Sequence, residues 1–196
     1  MNKIDLNALR DRAYKIACDH GFHDIELSNE HWLMLVITEL SEAVEADRLD
    51  KRADKFCFDI VIANAHKGIV RDDWFVFSFN RCIKGSVEEE LADAAIRLLD
   101  LAGFRGISLD IATKDIDNRI DDMAEACKDE IFTESIYSIS ILPERYKGLY
   151  DFPTIVNDML LSIFGLAKHL NIDLMWHIEQ KMKYNELREK MHGKKY

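Results

Sequence analysis

The sequence predicts an all-α fold, a helical bundle that forms one domain over residues 1–196. Two prolines and eight glycines in 196 residues are few, and uninterrupted helices are where both residue types are least tolerated. Apolar residues recur three and four positions apart along most of the chain, which is the spacing of one helix face. Together these features argue against a turn-dense β fold.

The N-terminal part is predicted to contain two amphipathic helices and a less regular segment. The first helix covers residues 5–19, where apolar side chains recur at helical spacing until shortly before Gly21. Ser28 or Asn29 is a suitable N-cap for the second helix, HWLMLVITELSEAVEADR, which carries one strong apolar stripe. Residues 50–85 mix aromatic and basic side chains, and we expect a partly helical excursion between two core helices there.

The remaining helices are predicted from capping residues and turns. Ser86 and Glu89 form an S-x-x-E capping box, which predicts a helix that runs to a stop at Gly103. Two helices with a break between them are expected within residues 109–140. The chain then has a turn marked by Pro143 and Gly148, followed by helices over 153–169 and 173–191.

Two pairs of segments suggest an internal repeat. A shift of 65 residues aligns DAAIRLLDLAGFRGISL (93–109) with DMLLSIFGLAKHLNIDL (158–174), and VITELSEAV (36–44) can be placed on IFTESIYSI (131–139). A duplicated helical hairpin whose second copy has lost half of its acids explains both matches. The alternative is the general similarity of amphipathic helices. The predicted units are 29–109 and 123–191.

Composition and charge limit the classes of partner. A net charge of −10 disfavours a nucleic-acid-binding protein, because a phosphate backbone requires a positive face. It does not disfavour a small phosphorylated ligand, since a bound divalent cation supplies positive charge locally. No signal-peptide core or bilayer-length apolar run is present. We therefore expect a soluble cytoplasmic protein with no nucleic-acid or membrane partner, and four reduced, mostly buried cysteines.

Two pairs of carboxylates stand three residues apart on predicted core helices. Glu39 and Glu42 lie within VITELSEAV, and Glu90 and Asp93 lie within EEELADAAIRLL. Side chains three apart project from one helix face, and carboxylates beside a core are unfavourable unless a cation or hydrogen bonds compensate them. Four such groups from two packed helices would form an oxygen site suited to Mg²⁺ or Mn²⁺.

The alternative interpretation of these acids is a pair of solvated helix faces, with Arg97 pairing to Asp93 one turn away. Glu89 and Glu45 compete for the metal-binding role. We expect Glu89 to be committed to the helix start with Ser86, and Glu45 to lie nearer solvent. On spacing alone, one E-x-x-E pair is weak support for a site and two pairs are moderate support.

Three stretches, TELSEAVEADR, EEELADAAIRLLDLAG and KMKYNELREKMHGKKY, together resemble the MazG-like nucleotide pyrophosphohydrolases of the all-α NTP pyrophosphatase superfamily. The segment HGFHDIELSNEHWLMLVITELSEAVEA also looks like the first two helices of that family. The family pattern E-x-x-E…E-x-x-D is met by the four acids, and the K-x-x-Y-N-x-x-R…H-G-K-K-Y ending is harder to obtain by chance. The resemblance covers residues 10–48, 86–109 and 172–196.

The resemblance implies a magnesium-dependent hydrolase. In the family the four acids, here Glu39, Glu42, Glu90 and Asp93, bind magnesium, and nucleoside triphosphates are cleaved to monophosphate and pyrophosphate. We therefore expect hydrolysis of nucleoside triphosphates, dNTPs above all, in a role that cleans the nucleotide pool, with Mg²⁺ as cofactor and Mn²⁺ as an alternative. Water would attack the α-phosphorus, and Glu42 or Glu39 would orient or deprotonate that water.

The C-terminal motif supplies the expected phosphate contacts. Lys181 and Arg188 are candidate charge-assisted donors, as are Lys194 and Lys195, and Tyr184 and Asn185 would position sugar or phosphate. The alternative is a cationic helix end that suits the helix dipole.

Aromatic side chains near the first two helices are candidates for stacking on the base. They are Trp32, Phe22 and His23. The alternatives are a core-edge position for Trp32 and a surface position for His23, while Trp74 and Trp176 are expected to pack in the interior.

The chain also departs from the family pattern. The connection from Glu42 to Glu90 is longer than usual, and residues 110–170 lie between the acid-bearing helix and the C-terminal motif. With the repeat, this suggests a duplicated unit as in the related dimeric dUTPases, where a degenerate half supports an active one. Glu134 and Asp158 would then be remnants, and a homodimer is expected.

Two other functions were weighed. A ferritin-like di-metal oxidase needs paired E-x-x-H motifs on core helices, and the chain offers only Glu189 and His192 near its end. That function is rejected. A non-catalytic nucleotide-binding or assembly module on the same scaffold stays open.

Overall fold

The computed structural model describes residues 5–64, 71–110 and 115–193. Every regular element bounded within these residues is helical, which confirms the all-α prediction. The elements are α1 Leu6–Asp19, α2 Asn29–Arg48, α3 Lys55–Ala63, α4 Arg71–Cys82, α5 Val87–Phe104, α6 Ile116–Ala126, α7 Phe132–Ser140, α8 Leu142–Arg145, α9 Phe152–His169, α10 Leu174–Glu186 and a 3₁₀ helix Lys190–Gly193. None of the described helices combines the length and hydrophobicity needed to span a bilayer.

Serine side chains cap the N-termini of α2 and α5, the two helices that carry the acids. The hydroxyl of Ser28 accepts a hydrogen bond from the backbone N–H of His31 at 3.2 Å, and Ser86 does the same for Glu89 at 3.2 Å. Each satisfies an N–H that has no partner within its own helix. Ser28, and not Asn29, is therefore the N-cap of α2.

The helix predicted to stop at Gly103 ends one residue later, at Phe104, but Gly103 is not the residue that terminates it. Gly103 lies inside α5, and a Cβ at this position would stand 2.9 Å from Cγ of Tyr14 on α1, so the glycine permits close packing of the two helices. The helix ends at Phe104, and Gly106, two residues beyond it, has a φ of +62°. The N–H of Ile107 then donates to the carbonyl of Ala102 at 2.8 Å, which is the pattern of a glycine-terminated helix end.

The main core forms around α5. Nine apolar side chains of this helix are fully buried, and α5 packs against α1, α2, α9 and α10. Burial on nearly every face requires apolar residues on nearly every face, and small side chains allow close approach of the neighbours. The nine fully buried apolar residues of α5 are Val87, Leu91, Ala92, Ala94, Ala95, Leu98, Leu99, Leu101 and Ala102.

A second, smaller core lies where α3 and α4 meet α10. Phe58 packs edge-on against Phe75 and Trp176, with ring centroids 5.9 and 5.5 Å apart. Residues 50–85 are thus partly helical as predicted, since α3 and α4 fall within them. All four cysteines are free thiols within the described residues, but only Cys82 and Cys127 are buried, so the prediction of mostly buried thiols holds for half of them.

The last predicted helix ends earlier than expected. α10 stops at Glu186 instead of residue 191, and the chain turns back across the end of α1. There the backbone N–H of Met191 donates to the carbonyl of His20 at 2.9 Å, and Lys190 pairs with Asp24 at 2.9 Å. This return brings the residues that follow α10 close to the N-terminal helix.

The arrangement of the second half does not confirm the internal duplication. The alignment equates α9 with α5 and α7 with α2, yet α9 packs chiefly on α6, while α2 packs chiefly on α5. The helix ends at Gly106 and Asn171, which the alignment pairs, do share positive φ values of 62° and 58°. However, α1 and α2 end on Gly21 and Asp50 with positive φ as well, so this ending does not identify a repeat.

The close approach of α6 and α9 gives a stability prediction. A Cβ on Gly165 would lie 2.8 Å from the backbone carbonyl carbon of Met123 and 3.0 Å from the nitrogen of Ala124. Because backbone atoms cannot move aside locally, Gly165→Ala should lower the free energy of unfolding by about 1–3 kcal/mol, in the range of overpacking substitutions. Thermal unfolding followed by circular dichroism should show a decrease of about 3–10 °C. The control is Ser41→Ala, which removes a hydroxyl group at an exposed site on α2. An equal loss of stability in both variants would contradict the close packing.

Candidate metal centre and its cleft

Five carboxylates converge where α2 packs on α5. Oxygen atoms of Glu39, Glu42 and Glu90 all lie within 4.8 Å of one another, and the same holds for Glu89, Glu90 and Asp93. We call the first group the outer trio and the second the inner trio; they share Glu90. The structure thus brings together the four acids singled out by their spacing, and it adds Glu89.

The outer trio has one exposed member and two buried ones. Glu39 and Glu90 are 3% and 7% exposed, whereas Glu42 faces solvent. Burial, then the charges of Glu89 and Asp93, raises the pKa of Glu90 to about 9. Burial, together with the charge of Asp93, also raises the pKa of Glu39 in spite of its ion pair with Arg97. Without a cation, these groups are therefore strained in their ionised form.

Glu89 performs two tasks, so its exclusion from the acidic cluster was wrong. Its backbone N–H donates to Ser86, as the capping box predicts, and its Oε2 accepts from the backbone N–H of Gly85 at 2.6 Å. Its other oxygen contacts the ammonium group of Lys181. A side chain that caps a helix start can therefore still present an oxygen to the site.

Lys181 lies inside the inner trio. Its side chain is 6% exposed, and its ammonium group contacts Glu89 and also Asp93, whose Oδ2 is 2.5 Å away. Burial lowers the pKa of Lys181, but the two carboxylates raise it by more, so the group stays charged. The predicted phosphate donor is thus a buried counter-charge for two acids, and its removal would leave them unpaired.

Arg97 does not pair with Asp93, contrary to the alternative drawn from their spacing. Its Nε donates to Oε1 of Glu39 on the neighbouring helix at 2.5 Å. The contact joins α5 to α2 and neutralises the most buried member of the outer trio. Partner choice here follows from helix packing, because Glu39 is buried beside α5 while Asp93 is already held by Lys181.

Two of the five carboxylates, Glu39 and Asp93, line a cleft between α1, α2, α5 and α10. The cavity volume of the cleft is about 70 Å³, and the empty space with the open mouth included is about 680 Å³. Apolar side chains of α1, α2, α5 and α10 form part of its lining. The polar lining residues are Glu39, Asp93, Arg97, Asp100, Lys181, Asn185 and Arg188.

Asn185 lines the cleft one turn after Lys181 on α10. It is 8% exposed, and within the part of the chain that the structure describes its side-chain oxygen has no hydrogen-bond partner. Buried polar atoms are nearly always paired, since an unmet hydrogen bond is unfavourable by about 1–3 kcal/mol. An unpaired acceptor on the wall of a cleft therefore points to a ligand that brings a donor.

An aromatic cluster closes the other end of the cleft. His23 stacks on Phe104 with ring centroids 4.4 Å apart, and its Nε2 lies 2.7 Å from Oδ1 of Asp100. Its side chain is 5% exposed, so the alternative of a surface histidine is wrong. Trp32 and Phe22 line the cleft, whereas His23 lies behind Asp100 and does not. Of the aromatic candidates for stacking, Trp32 and Phe22 are thus the two that face the cleft.

Tyr184 lies in the second core and not in the cleft. Its hydroxyl donates to Oδ1 of Asn80 at 2.9 Å, and its ring stacks on Phe79 with centroids 4.4 Å apart. The predicted role in positioning substrate is therefore replaced by a role in holding α10 against α4. Arg188 does line the cleft, while Lys194 and Lys195 fall outside the described residues.

The sequence analysis did not place one residue of the acidic cluster and two residues of the cleft in the site. Glu89 was assigned to capping alone, Arg97 appeared only as a surface partner, and Asp100 was not considered. The signal for the last two was available: Asp93, Arg97 and Asp100 recur at spacings of four and three within an otherwise apolar helix, which places three charges on one face.

Comparison of the chain with protein-family models, with curated proteins and with solved structures finds no match. The resemblance noted above therefore rests on the quoted residues.

The pKa of Glu90 gives a prediction for the metal-free protein. Because its folded-state pKa is raised from 4.5 to about 9, the stabilisation from its protonated form is present below pH 4.5 and is lost as the pH rises toward 9. Glu90→Gln removes this loss, so its stability relative to the wild type should increase by about 1–3 kcal/mol between pH 5 and pH 8. Urea unfolding in EDTA measures it. Glu45→Gln, an exposed change on α2, should show no such trend, and a pH-independent difference for Glu90→Gln would contradict the shifted pKa.

Proposed function

We propose that the protein is a Mg²⁺-dependent nucleoside triphosphate pyrophosphohydrolase of the MazG-like type, which releases pyrophosphate and a nucleoside monophosphate. The observation that carries the proposal is the outer trio, three carboxylates within 4.8 Å at the edge of a cleft that also presents cationic side chains. Acids alone would suit many cations, but acids beside Arg97 and Arg188 suit a cation bound together with a polyanion.

The choice of Mg²⁺ or Mn²⁺ follows from the donor set. All five ligand side chains offer hard oxygen atoms, and no histidine or cysteine belongs to either group among the described residues. Lys181 already compensates Glu89 and Asp93, so the outer trio is the better position for an ion. Glu42, the exposed member, leaves that position open to solvent and substrate. A bound Mg²⁺ would supply positive charge to phosphate oxygens and acidify a coordinated water.

Different side chains of the cleft are assigned to the phosphates, the base and the sugar of the nucleotide. Arg188 lies where it can donate to phosphate oxygens, while Trp32 and Phe22 offer apolar surface for a base. The unpaired acceptor of Asn185 requires a donor, and a sugar hydroxyl has one whereas an ionised phosphate has none. We therefore assign Asn185 to the sugar. Glu42, the most accessible carboxylate, is the group best placed to take a proton from an attacking water.

A non-catalytic nucleotide-binding module is the second candidate. It would use the same cleft, and the lack of any matched enzyme leaves it open. Hydrolysis separates the two functions: a panel of dNTPs and NTPs with Mg²⁺, followed by inorganic pyrophosphatase and phosphate detection, should give signal for at least one nucleotide. Tight nucleotide binding without pyrophosphate release from any of them would establish the binding module instead.

Glu42→Gln tests the metal centre with little effect on the fold. Glu42 is exposed, and the substitution keeps its size while removing the ligand charge. We expect Mg²⁺-dependent pyrophosphate release to fall by about 100-fold or more, with a melting temperature unchanged within about 1 °C. Glu45→Gln on the same helix, which also neutralises an exposed acid, is the matched control and should keep full activity. Full activity of Glu42→Gln would overturn the assignment of the outer trio.

Asn185→Ala tests the sugar contact. Because the side-chain oxygen has no partner among the described residues, its loss should leave stability nearly unchanged but raise KM about tenfold, the effect of one lost hydrogen bond. Steady-state kinetics with a dNTP and with its 2′,3′-dideoxy analogue measure it. The wild type should discriminate between the two nucleotides and the variant should not. Equal discrimination by both proteins would contradict the assignment.

A further inference from the structure

Arg97 combines an ion pair with unused hydrogen-bond donors. A guanidinium carries five N–H donors, and Arg97 uses only Nε, toward Glu39; its two terminal nitrogens make no hydrogen bond with the residues that the structure describes. The side chain is 25% exposed and lines the cleft. Four donors in a planar fork therefore face a cleft that also contains Asn185, whose buried acceptor is unpaired.

The partner of Arg97 is itself a member of the outer trio. Glu39 lies within 4.8 Å of Glu42 and Glu90, so the guanidinium charge stands beside the position that a divalent cation would take. Two positive groups at this distance repel, and they share one carboxylate. In the protein without a cation, Arg97 thus neutralises part of the negative charge that the trio would offer to a cation.

We propose that Arg97 is a phosphate-binding residue that exchanges Glu39 for the substrate's phosphate groups when a divalent cation binds the outer trio. This inference rests on the proposed function. Before exchange, Arg97 neutralises the buried Glu39 and holds it in position. After exchange, a phosphate provides two acceptors for the guanidinium fork, which is a stronger arrangement than the single Nε contact. The cation and the triphosphate therefore each raise the affinity for the other, whereas a cation that binds alone is repelled by the charge of Arg97.

Removal of Arg97 should change cation affinity in opposite directions for this exchange and for a fixed structural ion pair. If Arg97 only held α5 against α2, its removal would disorder Glu39 and weaken cation binding. If Arg97 competes with the cation, its removal strengthens cation binding and weakens triphosphate binding. The two effects in opposite directions are the signature of exchange.

The test measures binding of Mn²⁺ alone, and then of inorganic triphosphate to the Mn²⁺-loaded protein, by titration calorimetry. For Arg97→Gln we expect Mn²⁺ affinity to increase about three- to tenfold and triphosphate affinity to fall about 10- to 100-fold. Arg97→Lys, which keeps the charge but not the fork, should return Mn²⁺ affinity toward the wild-type value and recover triphosphate binding only in part. Arg48→Gln, which removes an exposed positive charge elsewhere on α2, should change neither constant.

Unchanged or weaker Mn²⁺ binding by Arg97→Gln would overturn the exchange, as would unchanged triphosphate affinity. Pyrophosphate release from a dNTP is measured in the same proteins. If Arg97→Gln shows both binding changes while the wild type releases no pyrophosphate, the proposed hydrolysis is refuted and the exchange is supported. A wild type that hydrolyses dNTPs while Arg97→Gln binds Mn²⁺ no better would refute the exchange alone.

Discussion

The buried contact of Lys181 with Glu89 and Asp93 is the interaction on which the site depends. It places an ammonium group of α10 among acids of α5, in a position from which water is largely excluded. Burying either partner alone would be strongly unfavourable, since an uncompensated charge in such a place destabilises by about 3–5 kcal/mol. The contact therefore fixes the rotation of α10 about its own axis and its position along α5. Asn185, one turn further along α10, reaches the cleft because Lys181 is held in this way.

The same helix also satisfies a second constraint. Tyr184 points to Phe79 in the smaller core, so α10 is held on one side by an ion cluster and on the other by aromatic packing. The negative charge of the outer trio is not fully compensated. Arg97 compensates Glu39, whereas Glu90 is relieved only by retaining a proton, as its pKa of about 9 indicates. A site that is unfavourable when empty of cations is typical of function taking precedence over stability.

Local sequence signals were sufficient for the helices and for the four acids. Spacing of three residues identified Glu39 with Glu42 and Glu90 with Asp93, because same-face projection depends only on helix geometry. The same reasoning failed where the tertiary arrangement decides. Gly103 was interpreted as a stop because glycine commonly ends helices, yet its purpose is contact with α1. The partner of Arg97 lies on another helix, and no spacing along α5 can reveal that. Neither the burial of Lys181 among two acids nor the position of Tyr184 in the second core could be predicted from the motif, since burial is a property of the assembled bundle.

The second half of the chain shows why matching acids in sequence does not imply a second site. The alignment places Asp158 on Asp93 and Glu134 on Glu39, but the two have separate local tasks. Asp158 stands 3.8 Å from Arg119, and the exposed Glu134 accepts a hydrogen bond from the backbone N–H of Ile131 at the start of α7. In the described part of the chain, both acidic groups close enough to share a cation belong to α2 and α5. Whatever the origin of the second half, the convergence of these carboxylates depends on the packing of α2 on α5 and on the buried ammonium group of Lys181, and the aligned acids of the second half have neither.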